Sequence, residues 1–150
     1  MTPDYFRRVL PRARLGSSDR RFTALLNLAL SRFPRDAEPV RSVSELRMRR
    51  RGDMKGLVGL TTYCCVTTKS DAKRSKKPAV QRITFYSELL DEISDESAIG
   101  VIAHELAHAW LNEHTFPEDS KKRELQADEL ARGWGYGGYL DALAAETEAP

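Results

Sequence analysis

The stretch Val101-Ile-Ala-His-Glu-Leu-Ala-His-Ala-Trp-Leu111 decides how the rest of this 150-residue chain is read. His104 and His108 stand four residues apart, so on an α-helix they lie about 40° from eclipsed, one turn above the other. Both imidazoles can then reach a single point, and a zinc ion suits that point because neutral imidazole is one of its usual ligands. Glu105 falls about 100° round from His104, too far to share the ligand set but well placed to touch a water on the open side of the metal. The surrounding residues, among them Ile102, Ala103, Leu106, Ala107 and Leu111, are small or apolar. Such a helix is apolar nearly all round and is expected at the centre of a core.

A catalytic zinc takes three protein ligands and leaves a fourth position for water, so a third ligand is required. His114 has the spacing of the metzincin pattern H-E-x-x-H-x-x-G-x-x-H. The pattern's glycine is Leu111 here, however, and leucine cannot cheaply adopt the conformation that turns the chain back. If the helix continues, His114 sits about 120° off the face of His108. No methionine follows Met54, so the metzincin methionine turn is missing as well. The second candidate is Glu124, in Arg123-Glu-Leu-Gln-Ala-Asp-Glu-Leu-Ala131, a stretch of good helix formers. Glu124 and Asp128 are again four apart, which lets Glu124 ligate while Asp128 accepts a hydrogen bond from the outward ring nitrogen of a ligating histidine.

With H-E-x-x-H on one helix and E-x-x-x-D on a later one, the chain resembles the gluzincin peptidases. The wording E-x-x-A-D-x-x-A is similar to the small members of that group, the minigluzincins and the ImmA/IrrE type, over roughly residues 99 to 133. The resemblance implies a zincin-like fold and a zinc-dependent endopeptidase acting on a protein or peptide substrate. It also implies a Tyr, His or Arg beyond the third ligand that stabilises the oxyanion. Arg132, Tyr136 and Tyr139 follow Glu124, and Tyr136, between Gly135 and Gly137, has the most freedom to serve as that catalytic group. The same glycines also read as a helix C-cap, with Trp134 and Tyr139 packing the last helix.

The remainder of the chain reads as one domain of class α+β, covering residues 19–150, preceded by a basic segment, residues 1–18, that is loosely ordered or only partly helical. Asp19 caps a helix through Phe22, Leu25, Leu26, Ala29 and Leu30 that ends at Pro34. Residues 43–50 and 57–68 read as strands joined in a hairpin by the turn Gly52–Gly56, and 80–87 as a third strand after a lysine-rich loop, 69–78. The expected sheet is small and mainly antiparallel. Ser94, followed by Asp95 and Glu96, is the natural N-cap of the central zinc helix, and Pro117 separates it from the helix of the third ligand.

Cys64 and Cys65 are adjacent, a spacing that strains a disulfide, and read as reduced residues. No apolar run approaches a membrane span, and a cytoplasmic protein with no membrane partner is expected. Charge is lopsided: residues 1–80 carry 19 Lys and Arg against 7 Asp and Glu, residues 81–150 carry 5 against 15. The basic half either faces nucleic acid or an acidic partner, or is cancelled by the acidic half in the fold. A zinc-binding regulatory or nucleic-acid-docking module without catalysis is the alternative function, though such a module needs no general base.

Overall fold

The computed structural model describes residues 4–16, 19–49, 64–68, 80–115 and 120–148. In chain order they form α1 (Asp4–Val9), β1 (Arg14–Gly16), α2 (Arg20–Ser31), β2 (Val43–Arg49), β3 (Cys64–Thr68), β4 (Gln81–Tyr86), α3 (Ser87–Leu90), α4 (Asp95–His114), α5 (Ser120–Ala131) and α6 (Gly137–Glu148). Residues Arg132–Tyr136 join α5 to α6 in a π-like turn, kinked at Gly135, whose φ of 103° favours glycine. Among the described residues no helix is long and apolar enough to cross a membrane.

Helices and strands mix as expected, but the sheet is mainly parallel, not mainly antiparallel. Its order is β1-β2-β4-β3, with β1–β2 and β2–β4 parallel and only β3–β4 antiparallel. The expected hairpin between β2 and β3 is absent, because β4 sits between them. The physical reason lies in the connections. Parallel neighbours need a crossover of about a dozen residues or more, and α2 supplies one between β1 and β2. The expected turn Gly52–Gly56, the first half of the second strand, the loop 69–78 and Pro117 lie outside the described residues.

The N-terminal segment, expected to be loosely ordered or only partly helical, contributes α1 and, among the described residues, the edge strand β1. Phe6, Val9 and Leu10 are buried at the i, i+3, i+4 spacing of one helix face. Full burial of such side chains stabilises by about 1.5–3 kcal/mol each, enough to order a short helix that would be marginal alone. α2 starts where expected: the Asp19 carboxylate accepts from Phe22 N at 2.7 Å. It buries Phe22, Leu25, Leu26, Ala29 and Leu30 against the sheet and α4.

α4 is held at both ends, and this fixes the site it carries. At its start Ser94 Oγ accepts from Ser97 N at 3.2 Å. Glu146 of α6 accepts from Ser94 N at 3.0 Å, from Ser94 Oγ at 2.6 Å and from Ser97 Oγ, placing a carboxylate at the positive end of the helix. One turn on, Gly100 lets α6 approach closely: a Cβ there would lie 2.6 Å from the Tyr139 carbonyl oxygen. Towards the other end, the buried Gln81 amide donates to Ala109 O at 2.9 Å and to Ser42 Oγ at 2.7 Å, and accepts from Asn112 Nδ2 at 3.1 Å. Glu113 accepts from Arg41 N and Ser42 N, at 3.0 and 3.2 Å. The buried face of α4, from Ala98 to Leu111, forms the middle of the core.

Candidate metal centre

His104 and His108 leave the same face of α4, and α5 packs back along that face. His108 lies six residues before the end of α4 and Glu124 four residues after the start of α5, so the two reach a common level. His104 Nε2 is 2.8 Å from Glu124 Oε2, His108 Nε2 is 3.0 Å from Glu124 Oε1, and the two Nε2 atoms are 3.1 Å apart. A residue not singled out in the sequence steadies this arrangement. Arg123, buried beside Glu124 in the chain, donates to Thr115 Oγ1 at 2.8 Å, and Thr115 itself closes α4 by donating to Leu111 O. Nothing in Lys-Lys-Arg distinguished Arg123 from its exposed neighbours. Its position immediately before a candidate ligand is the one available signal.

Charge in the cluster is strongly coupled. Burial lowers the His104 pKa, but the hydrogen bond to Glu124 and the carboxylates of Glu105, Glu124 and Asp128 outweigh it, and the net shift is upward. Glu124 is held far below the usual carboxylate range by its hydrogen bonds with His104 and His108, against a smaller opposing effect of burial. Two imidazole nitrogens facing each other need a shared proton or a cation between them. A tetrahedral zinc with bonds of about 2.0–2.1 Å sets its ligand atoms about 3.3 Å apart. The two imidazole nitrogens and the nearer Glu124 oxygen to each lie 2.8–3.1 Å apart, somewhat closer than that spacing, and a carboxylate with two imidazole nitrogens is a fitting zinc donor set.

The other candidate residues divide. Glu105 is buried on α4 next to His104, and its charge is felt at that imidazole. Asp128 follows Glu124 by one turn and also acts on His104 through its charge, but its hydrogen bond differs from the expected one. It accepts from Arg132 Nε at 2.8 Å, not from a histidine ring, because Arg132 lies one further turn along and reaches back while also pairing with Asp141 at 2.9 Å. His114 stays on the continuing helix, donates through Nδ1 to Trp110 O at 2.9 Å and stacks on the Trp110 ring. It takes no part in the cluster.

Tyr136 is the clear correction. It is fully buried, and its hydroxyl donates to Ala29 O on α2 at 2.5 Å. Desolvation raises its pKa, and its one proton is committed to a core carbonyl, so it is not placed to meet an oxyanion. The flanking glycines suggested freedom, but burial of the ring prevails. Trp134 packs on Phe33, and Tyr139 lies under the Arg32 guanidinium. Comparison with protein families, with curated proteins and with solved structures finds no match.

Proposed function

We infer that this chain is a zinc-dependent endopeptidase of gluzincin type, with a zincin-like arrangement of its helices and sheet. The observation that carries the reading is the convergence of His104 Nε2, His108 Nε2 and the Glu124 carboxylate within hydrogen-bond distance of one another, with Glu105 buried alongside. His104, His108 and Glu124 would hold the metal. Zinc bound there supplies Lewis-acid chemistry, polarising a substrate carbonyl and lowering the pKa of water in its open position.

The chain's own residues do the rest. Glu105 accepts the proton of the attacking water and passes it to the leaving amine, so one carboxylate serves as base and then as acid. The Asp128 carboxylate, kept in place by Arg132, adds negative charge beside His104 and keeps that imidazole electron-rich. Among the described residues β3 is the edge strand that packs on α4, and its outer edge suits an extended protein or peptide substrate held by main-chain hydrogen bonds. Adjacent Cys64 and Cys65, read as reduced thiols, suit a cytoplasmic setting. Titration with zinc against a chromogenic chelator, followed by a peptide-library digest with and without chelator, tests the reading. One tightly bound zinc per chain and chelator-sensitive cleavage are expected. Failure to bind zinc would overturn it.

A further inference from the structure

One polar side chain on the histidine-bearing strip of α4 takes no part in the metal centre. With His104 as zero, His108, Asn112 and Glu105 fall at about 40°, 80° and 100° round the helix axis, so the four share one strip. Asn112 is half-buried and lies one turn beyond His108. Its partner across the interface is Gln81, the first residue of β4, which pairs with Thr68 at the end of β3. Asn112 therefore stands where the strip meets the Thr68 end of the strand suited to an extended substrate.

The polarity of the Asn112 amide is fixed by what lies behind it, because the oxygen and nitrogen of an amide are told apart by the hydrogen bonds they make. Ser42 gives its one hydroxyl proton to the Glu113 carboxylate at 3.0 Å, so towards Gln81 it can only accept. The Ala109 carbonyl can only accept as well. Both protons of Gln81 Nε2 are thereby used, on Ser42 Oγ at 2.7 Å and on Ala109 O at 2.9 Å, and Gln81 Oε1 is left as an acceptor. Gln81 is fully buried, where a reversed amide would set oxygen against oxygen. Asn112 must meet that Oε1 with its Nδ2, at 3.1 Å, which turns its own carbonyl oxygen away. Among the described residues nothing donates to Asn112 Oδ1, and that oxygen is not sealed in the core.

We propose that Asn112 Oδ1 accepts a hydrogen bond from a main-chain N–H of the substrate, and that the subsite it serves rejects proline, which has no N–H. Helix residues four apart have Cβ atoms about 5–6 Å from each other, and an extended chain advances about 3.3 Å per residue. A peptide whose scissile bond lies at the histidines thus brings to Asn112 an N–H one or two residues away from that bond. Gln81 is a positioning residue: it touches no substrate but decides which end of the Asn112 amide faces outward. The inference rests on the peptidase reading and adds a requirement on its substrate.

The test uses one cleavable peptide in which each main-chain N–H near the scissile bond, other than that of the bond itself, is replaced in turn by an ester oxygen. The zinc-loaded full chain is assayed on every member, with zinc content measured on the same samples. At one position the replacement should cost the wild type about 3–10-fold in kcat/KM, chiefly through KM, and cost Asn112→Leu nothing. At positions held by β3 the two proteins should lose alike. Proline placed at the Asn112 position should be refused by the wild type. The ratio of amide to ester rates on one sample does not depend on the fraction folded, so a less stable variant still gives an answer. Asn112→Asp keeps an outward oxygen while losing the donor to Gln81, and should keep the wild-type ratio. The inference is overturned if wild type and Asn112→Leu lose alike at every position, or if Asn112→Asp loses the ratio. Absence of any cleavage of the parent peptide by zinc-loaded wild type would instead overturn the peptidase reading, and this inference with it.

Discussion

The Tyr136 hydroxyl donates to the Ala29 carbonyl at 2.5 Å, joining the turn after α5 to the last turn of α2 across 107 residues of sequence. The bond lies in the core, and its loss leaves the Ala29 carbonyl accepting from Arg32 N, at 3.2 Å. Tyr136→Phe should therefore cost about 0.5–1.5 kcal/mol, a fall of roughly 1–6 °C in Tm for a chain of this size. Zinc affinity and turnover per folded molecule should stay near wild type. Parallel thermal melts and chelator-competition titrations decide the matter. Undiminished stability with about a hundredfold loss of turnover would return Tyr136 to the catalytic set.

Gly100 is required by contact, not by φ. A methyl group at that position would sit 2.6 Å from the Tyr139 carbonyl oxygen, which belongs to backbone and cannot swing away. Gly100→Ala should push α6 off α4, and overpacking of this kind costs about 1–3 kcal/mol. Urea denaturation should show a lower midpoint at an unchanged slope. A midpoint equal to or above the wild type would mean that the two helices are less tightly seated than described.

The central helix α4 was legible because several local signals agree. Ser94 caps it, Asp95 and Glu96 charge its first turn, and the apolar run around His104 and His108 has no competing fold. Glu124 was legible from its spacing to Asp128. The sheet was not, since strand order depends on crossovers that no local pattern encodes, and β1 is only Arg14–Gly16. Phe6, Val9 and Leu10 did carry a helical signal, masked by the arginines and prolines around them. Arg132 capturing Asp128 was equally hidden: an i, i+4 ion pair and a ligand-supporting carboxylate look identical in sequence.

Ligand choice separates two histidine-containing readings. Glu124→Ala removes a ligand from the cluster and should lower zinc affinity sharply, whereas His114→Ala removes only a stacking partner of Trp110 and should leave it nearly unchanged. Zinc-chelator competition on both variants provides the check. The reverse ranking would show that α4 unwinds after Trp110 to bring His114 to the metal.

Metal-free and zinc-loaded protein should respond to pH in opposite ways. His104 has a raised pKa in the fold, so its contribution is complete below its ordinary 6.5 and is lost as pH rises through the raised value. Glu124 is depressed, so its contribution is complete above 4.5 and is lost as pH falls. Their pairing favours the metal-free fold most between those two limits. Zinc requires neutral histidines, so its stabilisation grows with pH. In chelator, the Tm gap between wild type and Glu124→Gln should be widest near about pH 5.5 and shrink by about pH 8.5. The gain on adding zinc should rise over the same interval. A gap independent of pH would contradict the coupling of His104 with Glu124.

The most direct measurement is the initial rate of peptide hydrolysis by zinc-loaded wild type and Glu105→Gln, with zinc content determined on the same samples. Glu105 neighbours His104 without being placed among the ligands, so the amide should keep one zinc per chain while losing the proton acceptor. Equal zinc and a rate lower by about 10²-fold or more are expected in Glu105→Gln. Equal zinc with an undiminished rate would contradict that role for Glu105.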